Sequence, residues 1–217
     1  MTRIKICCIR SVEEARLAIR LGASALGLVS EMPSGPGVIS ERVITEIASA
    51  TPPPIGTFLL TSRTDPEEII AQQQRCRANA VQLCDRLAPG THARLRESLP
   101  GISIVQVVHV AGEASFAEAL EASRTADALL LDSGNPELAV KELGGTGRTH
   151  DWAISARIVA ASAVPVFLAG GLDAGNVAEA ILSVRPFAVD VCSGVRSSGA
   201  LDETKLSEFM EAVAAAG

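Results

Sequence analysis

Eight apolar, branched-aliphatic segments recur along the chain, each followed by a stretch with helical spacing, and this alternation restricts the fold more than any other feature. The apolar runs lie at about 3–9, 24–29, 54–60, 78–84, 102–110, 125–132, 164–169 and 187–192. A stripe of Val12, Ala15, Ala18 and Ile19 marks the first helix. Further helices are predicted at about 40–50, 65–77, 89–98, 113–122, from Trp152, at 173–185 and at 202–216. Ser40 suits an N-cap, and Asp65-Pro66-Glu67 supplies a cap, a first-turn proline and a partner for the helix dipole.

Strands that are apolar almost throughout are covered on both faces, as in a parallel sheet. Eight βα units in 217 residues predict an α/β protein, a single-domain (β/α)8 TIM barrel over 1–217. An open doubly wound sheet competes, but eight regular units with no second domain fit it less well. Hydrophobic residues make up 47% and aromatics only 3%, so the core is built from Ala, Val, Leu and Ile.

A net charge of −6 supplies no basic stripe for a phosphate backbone, and few aromatics remain for base stacking. No nucleic-acid partner is expected. No run approaches eighteen apolar residues and no signal-peptide core opens the chain, so no membrane partner is expected either. Five cysteines without framework spacing predict reduced thiols in a cytoplasmic protein. Oligomeric state is left open between monomer and homodimer.

In such a barrel the chemistry gathers at the C-terminal ends of the strands. The first ends in Cys7 and the sixth in Asp132, a thiol and a carboxyl able to act as general base and general acid. Side chains alternate with a period of two, so Lys5 shares a face with Cys7, Gln82 with Cys84, and Asp190 with Cys192. Lys5 brings a positive charge that favours a thiolate. The bland readings are a buried small hydrophobe for Cys7 and a loop cap for Asp132. Cys8 is expected to face the helices as packing.

Glycine-rich turns follow the last two strands. Ala169-Gly170-Gly171-Leu172, ahead of a helix predicted to start at Asp173, offers amides and a positive helix end to a phosphate. Cys192-Ser193-Gly194-Val195 repeats the offer one strand later. The sixth loop, Gly134 to His150, is too long for a plain connector and carries Gly144-Gly145-Thr146-Gly147, which suits a lid over the substrate. A zinc set of Cys7, Cys84 and His109 is disfavoured because the ligands are scattered over separate strands. The two glycine turns point to a small phosphorylated ligand.

In series these motifs resemble the phosphoribosylanthranilate isomerase family of tryptophan biosynthesis. Lys5-Ile6-Cys7 resembles the family's opening, and Gly22-Ala23 with Ala25-Leu26-Gly27 its second-strand entry. Val81-Gln82-Leu83 resembles the fourth strand. Asp127 to Ser133, the Gly144–Gly147 run and Asp151-Trp152 follow, then Leu168 to Leu172 with Asn176-Val177, and Val189 to Val195.

The resemblance implies an Amadori rearrangement in which Asp132 protonates the ribose ring oxygen and Cys7 takes the C2 proton, with no metal and no cofactor because the protonated imine is itself the electron sink. It also implies substrate or phosphate contacts at Lys5, Gln82, Gly144, Gly145, Gly170, Gly171, Asp190, Ser193 and Gly194. Four positions depart from the family. Cys8 stands for a glycine after the catalytic cysteine, and Cys84-Asp85 for His-Gly. Arg196 stands for an acidic residue, and Pro33-Ser34-Gly35-Pro36-Gly37 has no arginine where the family carries a carboxylate clamp. Arg10, Arg63 or Arg148 could replace that clamp from another loop. Two alternatives therefore stay open: a related sugar-phosphate isomerase with a different aglycone, and a non-catalytic phosphate-ligand barrel.

Overall fold

The computed structural model describes residues 2–134, 138, 140–145 and 147–217. The strands β1 (Arg3–Ile6), β2 (Ala25–Val29), β3 (Gly56–Thr61), β4 (Ala80–Leu83), β5 (Ser103–His109), β6 (Ala128–Asp132), β7 (Val166–Leu168) and β8 (Ala188–Val191) pair in chain order. All pairs are parallel, and β1 returns to β8 with Lys5 opposite Asp190, closing the barrel. Helices α1 (Val12–Arg20), α2 (Glu41–Ala50), α3 (Pro66–Cys76) and α4 (Thr91–Ser98) follow the first four strands. The last four are followed by α5 (Ala114–Ala122), α6 (Trp152–Ala161), α7 (Val177–Val184) and α8 (Glu203–Ala216).

Strand period divides the core in two. On β6, Leu129 and Leu131 join the layer under the helices, while Leu130 points into the barrel with Phe58, Leu60, Val105 and Phe167. The caps fall where residue type demands: Ser40 accepts from the Val43 amide and Asp65 from the Glu68 amide, with Pro66 in the first turn.

One local expectation is corrected. Helix α7 begins at Val177, not at Asp173. Asp173 Oδ1 accepts from the Gly175 amide at 2.8 Å, and Asn176 Oδ1 accepts from the Asp173 amide at 3.0 Å. These short polar side chains hold 173–176 in a turn and delay the helix. Beyond β8, a 3-10 turn over Ser193–Val195 leads into a hairpin of β9 (Arg196–Ser197) and β10 (Ala200–Leu201) before α8. Among the described residues no helix is long and apolar enough to cross a membrane.

Candidate active site

The strand ends surround a pocket at the C-terminal mouth of the barrel. Cys7 and Asp132 both line it, as do Gln82, Gly144, Gly145, Gly170, Gly171, Asp190 and Ser193. Lys5 and Gly194 do not. Lys5 is fully buried beneath the floor, and Gly194 lets the 3-10 turn lie on the loop after β7, where a β-carbon would stand 2.1 Å from the Leu172 carbonyl oxygen.

Cys7 sits one residue past β1, pinned by its amide to the Val191 carbonyl at 2.8 Å. Gly27 on the neighbouring strand makes the room: a β-carbon there would lie 2.9 Å from Cys7 Sγ and 3.2 Å from Lys5 Nζ. The Lys5 ammonium pairs with Asp190 Oδ2 at 2.8 Å and lies 5.4 Å from the centre of the Phe58 ring. Burial works against the charge on Lys5, but Asp190 and Cys7 outweigh it and the net shift is upward, so Lys5 stays cationic. Among the described residues, neither Asp190 Oδ1 nor Gln82 Oε1 has a hydrogen-bond partner. Both residues line the pocket and are buried, so these atoms are acceptors suited to hydroxyl groups of a ligand.

Asp132 closes the opposite wall. Burial pushes its carboxyl above the usual carboxylate range and Asp190 adds to the push, while the Ser133 amide (2.7 Å to Oδ1), His109 and Lys5 oppose it. Backbone crowds both oxygens: β-carbons on Gly144 and Gly170 would stand 3.0 Å from Oδ2 and 3.2 Å from Oδ1. A larger residue at either position would press on the carboxyl group.

Of the described residues in the sixth loop, Leu143, Gly144, Gly145 and Gly147 line the pocket. Ser34 donates its hydroxyl to the Lys141 carbonyl at 2.6 Å, and a β-carbon on Gly145 would meet Pro36 Cδ at 2.5 Å. Thr146 of the glycine run lies outside the described residues.

Cys8 is not in the helix layer. Its φ of 62° breaks the strand alternation and turns it to the pocket, where its thiol donates to the Pro36 carbonyl at 3.6 Å. The neighbouring Cys8 and Cys192 thiols act on each other, drawing the pKa of Cys192 down and pushing that of Cys8 up. His109 Nε2 donates to the Cys84 carbonyl at 3.1 Å. None of the three candidate replacement arginines lines the pocket. Arg10 donates to the Gly199 carbonyl, Arg63 pairs with Glu68, and Arg148 with Glu142.

Three features escaped the sequence reading. Met32 and Leu143 wall the apolar end of the pocket. His150 stands behind Gly170, its pKa pushed down to about 4 by burial, with Nε2 2.7 Å from Ser155 Oγ. Arg196, buried at 8% exposure, donates from Nη2 to the Cys8 carbonyl at 2.5 Å and ties the loop after β1 to Glu14 at 3.1 Å. A helical pattern or strand alternation marks none of them.

A closed parallel barrel with a thiol, a carboxyl group and glycine turns on one pocket at the strand ends has the form of a (β/α)8 enzyme. The family model described as N-(5'phosphoribosyl)anthranilate (PRA) isomerase matches residues 4–212, and the chain belongs to that family. A relative from Methanocella arvoryzae, N-(5'-phosphoribosyl)anthranilate isomerase, is 35% identical over 98% of both chains. The phosphoribosyl anthranilate isomerase crystal structure from Thermotoga maritima superposes with a TM-score of 0.85 at 31% identity, covering 99% of this chain and 100% of its own. Another of the same enzyme holds reduced 1-(o-carboxyphenylamino)-1-deoxyribulose 5-phosphate; it is 29% identical with a TM-score of 0.82, again over 99% and 100%.

Proposed function

We propose that Cys7 and Asp132 carry the isomerisation of N-(5'-phosphoribosyl)anthranilate to 1-(2-carboxyphenylamino)-1-deoxyribulose 5-phosphate. The observation that carries the assignment is their placement on one small pocket with a glycine cradle between the last two strands. Asp132, held toward its protonated form by burial, gives a proton to the ring oxygen as the C1–O bond breaks and the C1–N bond gains double character. The protonated imine then draws electrons from C2 while Cys7 accepts the C2 proton. Protonation at C1 with loss of the C2 hydroxyl proton converts the enolamine to the aminoketose. Return of the proton from Cys7 to Asp132 through solvent resets the pair, so atoms and charge balance without a redox partner.

Asp190 Oδ1 and Gln82 Oε1 accept from sugar hydroxyls, and Gly170, Gly171 and Ser193 form the phosphate cradle. Gly144 and Gly145 belong to a loop that covers the acid and keeps bulk water from the imine. Lys5 acts from below by fixing Asp190 and facing Cys7 with positive charge. Gly194 shapes the 3-10 turn that presents Ser193. Residues 1–217 act as one unit. A thiol base must stay reduced, and the five cysteines are free, which fits the cytoplasm.

The test is a fluorescence assay with freshly prepared N-(5'-phosphoribosyl)anthranilate, following its consumption by micromolar protein. Turnover well above the buffer rate supports the reading; a rate equal to buffer overturns it.

A further inference from the structure

The pocket has two unlike ends. At one lie Gly170, Gly171 and Ser193; at the other stand Val29, Met32, Pro36, Leu60 and Leu143. Among the described residues that line it there is no lysine or arginine. Lys5 is below the floor and committed to Asp190. A shallower depression adjoins the apolar end, sharing Met32 and Leu143, and contains Arg63. That guanidinium is 2.8 Å from Glu68, and the same depression carries Glu31 and Asp85. Lys141 is itself engaged by Asp85 at 2.5 Å. The surroundings of the apolar end therefore offer a carboxylate no uncommitted cation among the described residues, and Glu31 adds a nearby negative charge.

A carboxylate moved from water to an apolar wall loses its hydration, and only a paired charge or several donors restore it. The chemistry gives no reason to hold one here. Ring opening needs the nitrogen lone pair and a proton on the ring oxygen, and enolisation needs a base at C2. A carboxyl group on the nitrogen substituent gains no bond, loses none and transfers no proton.

We infer that this end of the pocket reads apolar bulk rather than charge, so the enzyme also isomerises N-(5-phosphoribosyl)amines whose nitrogen carries an uncharged aromatic group. The inference rests on the function proposed above and extends its substrate class. It makes Met32 and Leu143 the specificity-determining walls, and it assigns Arg63 no part in substrate choice.

The experiment compares kcat/KM for N-(5'-phosphoribosyl)anthranilate and N-(5'-phosphoribosyl)aniline, which differ only in the carboxylate, on wild-type protein and on Arg63→Met. The expected result is a ratio within about fivefold, unchanged in the variant, because no charge-assisted contact is lost with the carboxylate. A site built around a polar group rejects the analogue lacking it by up to about 10⁴-fold. A wild-type preference for the anthranilate compound above about a hundredfold overturns the inference and leaves the proposed function standing. Selective loss of the anthranilate compound in Arg63→Met also overturns it. Consumption of neither compound by the wild type overturns the proposed function, and the inference falls with it.

Discussion

Gly37 lies directly against Cys8: a β-carbon on Gly37 would stand 2.5 Å from Cys8 Cβ and 2.9 Å from its sulfur. These residues belong to two of the four departures from the family pattern, and the structure joins them. Cys8 takes a left-handed backbone that glycine adopts freely, and Gly37 in the 33–37 loop supplies the space for its side chain. The thiol then ties that loop down through the Pro36 carbonyl.

Replacing Gly37 with alanine should therefore destabilise the protein by about 2–3 kcal/mol, from overpacking plus a left-handed φ of 82°. In a Cys8→Gly background the overpacking disappears and the loss should shrink to about 1–2 kcal/mol. Urea denaturation of the four proteins measures this. Equal losses in both backgrounds would show that the contact carries no energy.

The Lys5–Asp190 pair is buried on both sides. Asp190→Asn leaves an ammonium under the pocket floor without its counter-charge and should cost about 3–5 kcal/mol. A denaturant midpoint shift worth under about 1 kcal/mol would mean the lysine finds compensation elsewhere.

Burial raises the folded-state pKa of Asp132 above the ordinary carboxylate value of 3.8. The folded protein then holds this proton more tightly than the unfolded chain does. The group's contribution to stability is greatest below the unfolded pKa and declines as pH rises through the folded pKa. Asp132→Asn removes that decline, so the variant should gain stability relative to wild type as pH rises above 4. Melting temperatures from pH 4 to 8 decide it; a constant difference across that range would be the contrary result.

Arg196 donates to the carbonyls of Cys7 and Cys8 at 3.4 and 2.5 Å from outside the pocket lining, so on the proposed mechanism it positions the backbone that carries the base. Arg196→Met should lower kcat about 10–100-fold with KM nearly unchanged, and Arg196→Lys should recover part of it. A rise in KM at constant kcat would place the residue's role in binding instead.

The barrel was legible because strand alternation and helix caps are local: Ser40 and Asp65 cap where their residue types say. That Cys7 and Asp132 would share one pocket was legible because both stand at strand ends, which gather at one mouth of such a barrel. Cys8 was misread because alternation assumes an extended backbone, and a single left-handed residue redirects its side chain. The early start given to α7 had a similar origin, since Asp173 suits a cap but spends its oxygen on the Gly175 amide within a turn. Arg196 was visible only as a departure. Its partners, Glu14 and the Cys8 carbonyl, lie 182 and 188 residues away in sequence.

The most direct test of the acid–base assignment is kcat for N-(5'-phosphoribosyl)anthranilate in the wild type, Cys7→Ala and Asp132→Asn, with circular dichroism to verify the fold. Each substitution should lower kcat by about 10²–10⁴-fold, the range expected for a positioned proton-transfer group, with the spectra unchanged. A folded variant of either kind that keeps more than about a tenth of the wild-type kcat would contradict the assignment.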